Sequence, residues 1–197
     1  MCIRDSGKTD GLVIVDVQRD FCPGGALPVP NGDRIIPVLN RYVELFRNSG
    51  GIFASRDWHP PDHISFKPKG PWPTHCVRGT PGADFHPDLN LPDEAVVVSK
   101  ATEADKEAYS AFEDTGLADM LKKRGISRIF VGGLATDYCV KSTVLDGVSA
   151  GFKVVLLVDA IRGVDVSQGD SEKAICEMVR SGCECAVIAD LTVGELG

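Results

Sequence analysis

Short runs of adjacent apolar residues, rich in β-branched side chains, punctuate the chain. They are Leu12-Val13-Ile14-Val15, Ile52-Phe53-Ala54, Ala95-Val96-Val97-Val98, Ile129-Phe130-Val131, Val154-Val155-Leu156-Leu157-Val158 and Cys185-Ala186-Val187-Ile188. A strand that is apolar at every position, rather than at alternate ones, is covered on both faces. Between the runs the period changes to that of a helix. Ile35, Ile36, Leu39, Tyr42, Val43 and Phe46 form one stripe ahead of Gly50-Gly51, and Leu117, Met120 and Leu121 precede Gly125. Val140, Val144, Leu145 and Val148 form a third stripe, and Ala174, Ile175, Met178 and Val179 a fourth. Strand and helix in alternation predict an α/β fold of three layers, a mostly parallel sheet of about six strands with helices on both faces.

Two stretches break the pattern. Residues 1–10 carry no periodicity and are expected to be a disordered or extraneous lead-in, leaving 11–197 as a single domain with no Pro/Gly/Ser-rich linker inside it. Residues 57–94 hold many Pro, Gly, His and aromatic residues and no repeat. A long irregular stretch inside a compact domain is usually functional.

Composition excludes several classes. With 28 acidic and 21 basic residues the net charge is −7, so no basic surface is expected for nucleic acid or an anionic membrane. No apolar run approaches the roughly 20 residues that span a bilayer, and Met1-Cys2-Ile3-Arg4-Asp5-Ser6 lacks the apolar core of a signal peptide, so a cytoplasmic protein is expected. Seven cysteines without Cys-x-x-Cys pairs fit neither a disulfide framework nor a structural zinc site, and reduced thiols follow.

In open parallel sheets the ligand site lies beyond the carboxyl ends of the strands. The residues there are Asp16, Asp57, Lys100 and, after Gly132-Gly133, Cys139. A lone cysteine is more often an inert core residue. At the start of a helix, however, it meets the positive end of the macrodipole, and beside a lysine its thiolate is favoured. A carboxylate and an ammonium at neighbouring strand ends complete a nucleophile, its base and a cation. Asp57, His59, His63 and His75 fall in the irregular stretch, and His with carboxylate suits one divalent transition metal, zinc, iron or manganese. Phe21, Trp72 and Tyr109 stand in polar or turn-rich surroundings and can wall a pocket for a flat ring.

These residues, in order and spacing, resemble the isochorismatase-like hydrolase superfamily and, within it, the nicotinamidase/pyrazinamidase family. The matching segments are Asp16-Val17-Gln18-Arg19-Asp20-Phe21, Asp57-Trp58-His59-Pro60, His63-Ile64-Ser65-Phe66 and Trp72-Pro73-Thr74-His75-Cys76-Val77. Ser99-Lys100, Tyr109-Ser110-Ala111-Phe112 and Gly132 through Val140 continue the match. The resemblance implies Asp16, Lys100 and Cys139 as catalytic triad and Asp57, His59 and His75 as metal ligands. His63 matches a position that is a fourth ligand in only some members. It further implies a cis peptide between Leu134 and Ala135, the N–H groups of Ala135 and Cys139 as oxyanion hole, and Phe21, Trp72, Tyr109, Leu134 and Ala135 around the substrate. The implied activity is hydrolysis of nicotinamide, and also of pyrazinamide, through a thioester. Another amidase or hydrolase of the same fold, or a non-catalytic binding protein, remains open at this point, as does a homo-oligomer.

Overall fold

The computed structural model describes residues 8–192. Six strands form one sheet: β1 (Asp10–Val15), β2 (Gly51–Asp57), β3 (Val96–Lys100), β4 (Arg128–Leu134), β5 (Lys153–Arg162) and β6 (Glu184–Ala186). Every pairing is parallel and the order is β3-β2-β1-β4-β5-β6. The order reverses between β1 and β4, where an open parallel sheet splays its strand ends into a crevice.

The uninterrupted apolar run of β1 feeds two separate cores. Leu12 and Ile14 point into one, with α1 (Ile36–Phe46) and α5 (Ile188–Thr192). Val13 and Val15 point into the other, with α2 (Leu117–Lys123), α3 (Lys141–Ser149) and α4 (Asp170–Arg180). Successive strand side chains face opposite ways, so a strand between two helical layers must be apolar throughout. On α1 the stripe Ile36, Leu39, Tyr42, Val43 and Phe46 is fully buried, each side chain contributing about 1.5–3 kcal/mol. The Tyr42 hydroxyl donates to Asp159 Oδ1 (2.8 Å), tying α1 to β5.

Three boundaries differ from the sequence expectation. Residues 1–7 of the expected lead-in lie outside the described residues, but Asp10 opens β1, and the Thr9 carbonyl accepts from the Ser127 and Arg128 amides. The domain therefore reaches back past residue 11. The last apolar run is strand only to Ala186, because the Val187 amide donates to Asp190 Oδ2 and the Ile188 amide to Asp159 Oδ2, both at 2.9 Å. Those carboxylates cap a helix start that the run itself does not encode. Ile35 ends a 3₁₀ turn (Gly32–Ile35), and α1 begins one residue later. Among the described residues no helix is long and apolar enough to cross a membrane.

Candidate active site

The order β3-β2-β1-β4 sets four polar side chains on consecutive strand ends. Lys100 closes β3, Asp57 closes β2, Asp16 follows β1, and Cys139 lies in the turn of π-helical form Thr136–Val140 that joins β4 to α3. Asp16 takes a left-handed backbone (φ 49°), one that aspartate tolerates better than most residues, and so leaves the strand toward Lys100. The close approach of β4 to β1 beneath the site requires glycine. At Gly133 φ is +127°, and a Cβ would overlap the Val15 carbonyl oxygen.

Lys100 is the hub. Its Nζ lies 3.0 Å from Asp16 Oδ2 and 3.5 Å from Cys139 Sγ, donates to the Ala108 carbonyl at 3.1 Å, and is ion-paired with Asp57 Oδ1. Asp16, Lys100 and Asp57 are buried, with Asp16 wholly withdrawn from solvent. Ser55 Oγ donates to Asp16 Oδ1 at 2.7 Å, a contact with no signature in the sequence. Asp16 Oδ2, although close to Lys100, makes no aligned hydrogen bond to the protein.

Burial dominates the proton affinities. It raises the Asp16 carboxyl above the usual carboxylate range, Lys100 opposing it and Asp57 adding to it. Burial pushes the Cys139 thiol well above the ordinary cysteine value, more than the Lys100 charge pulls it down. Burial works against the Lys100 ammonium, but Asp16 and Asp57 outweigh it and hold the amine charged. For Asp57 burial likewise favours the neutral acid, yet Lys100 and His59 reverse the balance and the carboxylate persists. Cys139 thus sits in a turn before α3, desolvated, beside a carboxylate of raised proton affinity that can take its proton.

The irregular stretch 57–94 is pinned by short bridges, His59 to Val77 and Phe66 to Trp72 among them. The first brings His75 beside His59, ring centroids 4.9 Å apart. Ligand atoms of Asp57, His59 and His75 lie within 4.8 Å of one another. Each imidazole is oriented from behind: His59 Nδ1 is 3.3 Å from the Ala101 carbonyl and His75 Nδ1 is 2.8 Å from the Pro73 carbonyl. Ligating histidines characteristically give their second nitrogen to such a group. His59 Nε2, 3.5 Å from Asp57 Oδ2, is buried without a hydrogen-bond partner, an arrangement that costs free energy unless something else meets it. Burial lowers the His75 pKa and favours the neutral ring that ligates metals. Two histidines and a carboxylate suit a divalent transition metal, and the three residues fit one.

His63 does not join them. Its Nδ1 is 2.7 Å from Ser65 Oγ and its Nε2 is 3.0 Å from the Lys106 carbonyl, so both nitrogens are engaged while the ring lies tilted against His59, centroids 4.2 Å apart. Asp16, Asp57 and Cys139 also converge within 4.8 Å, but the Lys100 ammonium already supplies the cation there.

Above Cys139 and His75 opens a pocket with mostly apolar walls. Phe21, Trp72 and Tyr109 line it, with Ala135 at its base. The Trp72 indole N–H donates to the Tyr109 hydroxyl (3.1 Å), and Tyr138 meets the Trp72 ring edge-on at 5.3 Å. Tyr138, Leu27, Pro28, Val29 and Val164 also line it, and none was evident from sequence. Val164 reaches it because Asp137 Oδ1 accepts the Val164 amide at 2.9 Å. Leu134, expected beside the substrate, is instead wholly buried in the α1 core and does not line the pocket. The peptide between Leu134 and Ala135 is cis.

A family model described as the isochorismatase domain matches residues 10–191. The nicotinamidase of Escherichia coli K12 is 40% identical, with 91% of this chain and 95% of that protein aligned. The pyrazinamidase of Pyrococcus horikoshii, solved in complex with zinc, superposes with a TM-score of 0.87 at 50% identity, covering 91% of this chain and 99% of that one. PnC1 from L. infantum, solved with nicotinate, gives a TM-score of 0.90 at 36% identity over 97% of this chain and 98% of the other.

Proposed function

The chain belongs to the isochorismatase family, and on that premise we propose that it is a nicotinamidase, hydrolysing nicotinamide to nicotinate and ammonia in the salvage of NAD. The observation that carries this reading is that Cys139 lines one aromatic pocket together with Asp57 and His75, two of the three members of the Asp57, His59 and His75 group. Relatives named nicotinamidase, at 38–40% identity over most of the chain, support it.

Asp57, His59 and His75 would hold a divalent transition metal (zinc, iron or manganese), which when bound supplies a Lewis-acidic point for the ring nitrogen of the substrate. Phe21 and Trp72 present aromatic faces to the ring, and Tyr109, fixed by Trp72, closes the pocket. Ring recognition and amide chemistry are thus divided between neighbouring parts of one site. Pyrazinamide, which keeps a ring nitrogen and a carboxamide, fits the same division.

Asp16 takes the Cys139 proton as sulfur attacks the carboxamide carbon; Lys100 offsets the charge on Asp16 whenever the carboxyl is ionised. The N–H groups of Ala135 and Cys139 receive the developing oxyanion, where loss of one donor costs about 2.7–4 kcal/mol of transition-state stabilisation. As the carbon–nitrogen bond breaks, Asp16 returns the proton to the leaving nitrogen and ammonia departs. Asp16 then deprotonates a water that attacks the thioester, the cysteine sulfur departs and recovers that proton from Asp16, and the acid product ionises to nicotinate as its proton passes to the released ammonia. A buried carboxylate of raised proton affinity suits a group that must both accept and donate. The test is ammonia release from nicotinamide by the purified protein, before and after chelation and after metal replacement. Release abolished by chelation and restored by metal supports the reading; full release from metal-free protein contradicts it.

A further inference from the structure

We propose that Gln18 and Asp20 are positioning residues that set where Asp57 and His75 stand relative to His59, and thereby how tightly the site holds a metal. The inference rests on the reading of Asp57, His59 and His75 as ligands.

Gln18 is wholly buried and its amide is saturated on main-chain groups. Its Oε1 accepts the Asp57 N–H at 2.8 Å, while its Nε2 donates to the Asp57 carbonyl and the Ala83 carbonyl, each at 2.8 Å. The reason lies in the register. β1 pairs with β2 only as far as Val15 opposite Ser55, so the Asp57 edge facing β1 has no strand beside it. Gln18 supplies both missing hydrogen bonds from one side chain, doing for Asp57 what a neighbouring strand does elsewhere. On its other edge Asp57 pairs with Lys100 of β3. Asp57 is therefore held from both sides at the point where its carboxylate must face Lys100 with one oxygen and His59 with the other.

Asp20 does the equivalent for His75. Its Oδ2 accepts the Cys76 N–H at 2.7 Å and its Oδ1 the Ala26 N–H at 3.1 Å. Cys76 is left-handed (φ 44°), so the chain turns sharply just after the histidine, and the Asp20 carboxylate fixes that turn. The carboxylate is itself boxed in: a Cβ at Gly82 would overlap it. With Gln18 gone, the Lys100 ion pair would draw Asp57 away from His59. With Asp20 gone, His75 would lose the support of its following peptide. Outer-sphere partners of this kind typically carry 10- to 100-fold in metal affinity.

The test compares parent protein with Gln18→Glu, Asp20→Asn and, as control, Ile126→Val at the opposite end of the sheet, all loaded with cobalt(II) and separately with zinc. Gln18→Glu keeps the acceptor for the Asp57 N–H but loses both donations; Asp20→Asn keeps one carbonyl acceptor. The expected result is a changed visible cobalt(II) spectrum in both site variants and zinc release to a chelator faster by about tenfold or more, with the control matching the parent. Folded site variants with the parent's spectrum and release rate overturn the proposal while leaving the ligand reading intact. A control that shifts as much as they do overturns it as well, since the effect is then general. A parent that takes up neither metal removes the ligand reading and the proposal together. If Gln18→Glu does not fold, the proposal stands or falls on Asp20→Asn.

Discussion

Asp57 divides one carboxylate between Lys100 and His59: Oδ1 is ion-paired with the Lys100 ammonium, and Oδ2 lies 3.5 Å from His59 Nε2. The residue that closes β2 thus belongs at once to the Asp16–Lys100 ion-pair group and to the cluster proposed to hold the metal. A change in either group is felt by the other through a side chain of two rotatable bonds.

Lys100→Met leaves Asp16 and Asp57 buried together with no cation between them. Removing one partner from a buried ion pair costs about 3–5 kcal/mol. The expected outcome is a loss of that order in the denaturant unfolding free energy, together with loss of ammonia release. A variant of parental stability would mean that the Lys100 charge is not what balances the two acids.

Ser55→Ala removes the donor that fixes Asp16 Oδ1. A buried acceptor left unpaired costs about 1–3 kcal/mol. Turnover should fall more than substrate affinity, because the hydroxyl touches the base and not the pocket wall. Ser55→Thr, which keeps the hydroxyl, should recover most of the loss; steady-state kcat and KM for the three proteins decide.

The acid limb of the kcat/KM profile should lie above the ordinary aspartate value of about 3.9. Asp16 must be deprotonated to accept the thiol proton, and burial raises its pKa, so activity is lost as pH falls through that raised value. A limb at or below the ordinary value, measured where the protein remains folded, would contradict the assignment of Asp16 as base.

His59→Ala opens the ligand group without touching Cys139. Metal content should drop and nicotinamide binding should weaken with it, while Cys139 remains open to a small alkylating reagent. Elemental analysis, calorimetry and peptide mass mapping read the three quantities separately.

Gly133→Ala should prevent folding, since the new Cβ would meet the Val15 backbone where β4 crosses close to β1. Gly125→Ala makes the comparison: φ is +71° there but nothing lies within 4 Å, so only the left-handed penalty of about 1–2 kcal/mol applies. Soluble yield and thermal midpoint distinguish the two.

Much of this was legible in the chain, for identifiable reasons. The unbroken apolar run of β1 implies helices on both faces, and the strand ends carry Asp16, Asp57 and Lys100, which the fold brings together. What stayed hidden depended on partners far away in sequence. Ile188 begins a helix because Asp159 caps it, and Val164 lines the pocket because Asp137 holds its amide. Spacing put His59, His63 and His75 in one loop, but the bridge from His59 to Val77 selects His75 while Ser65 and Lys106 occupy His63. The desolvation of Cys139, which opposes the Lys100 charge, likewise comes from the folded surroundings and is not encoded by a position at the mouth of a helix.

In the proposed reaction Cys139 forms a thioester with the acyl group of nicotinamide. Acid quenching of the metal-loaded protein during turnover, followed by peptide mass analysis, tests it most directly. A nicotinoyl adduct is expected on the peptide carrying Cys139 and is absent from Cys139→Ala, which should still bind nicotinamide but release no ammonia. Ammonia release by Cys139→Ala at a rate near that of the parent would contradict it.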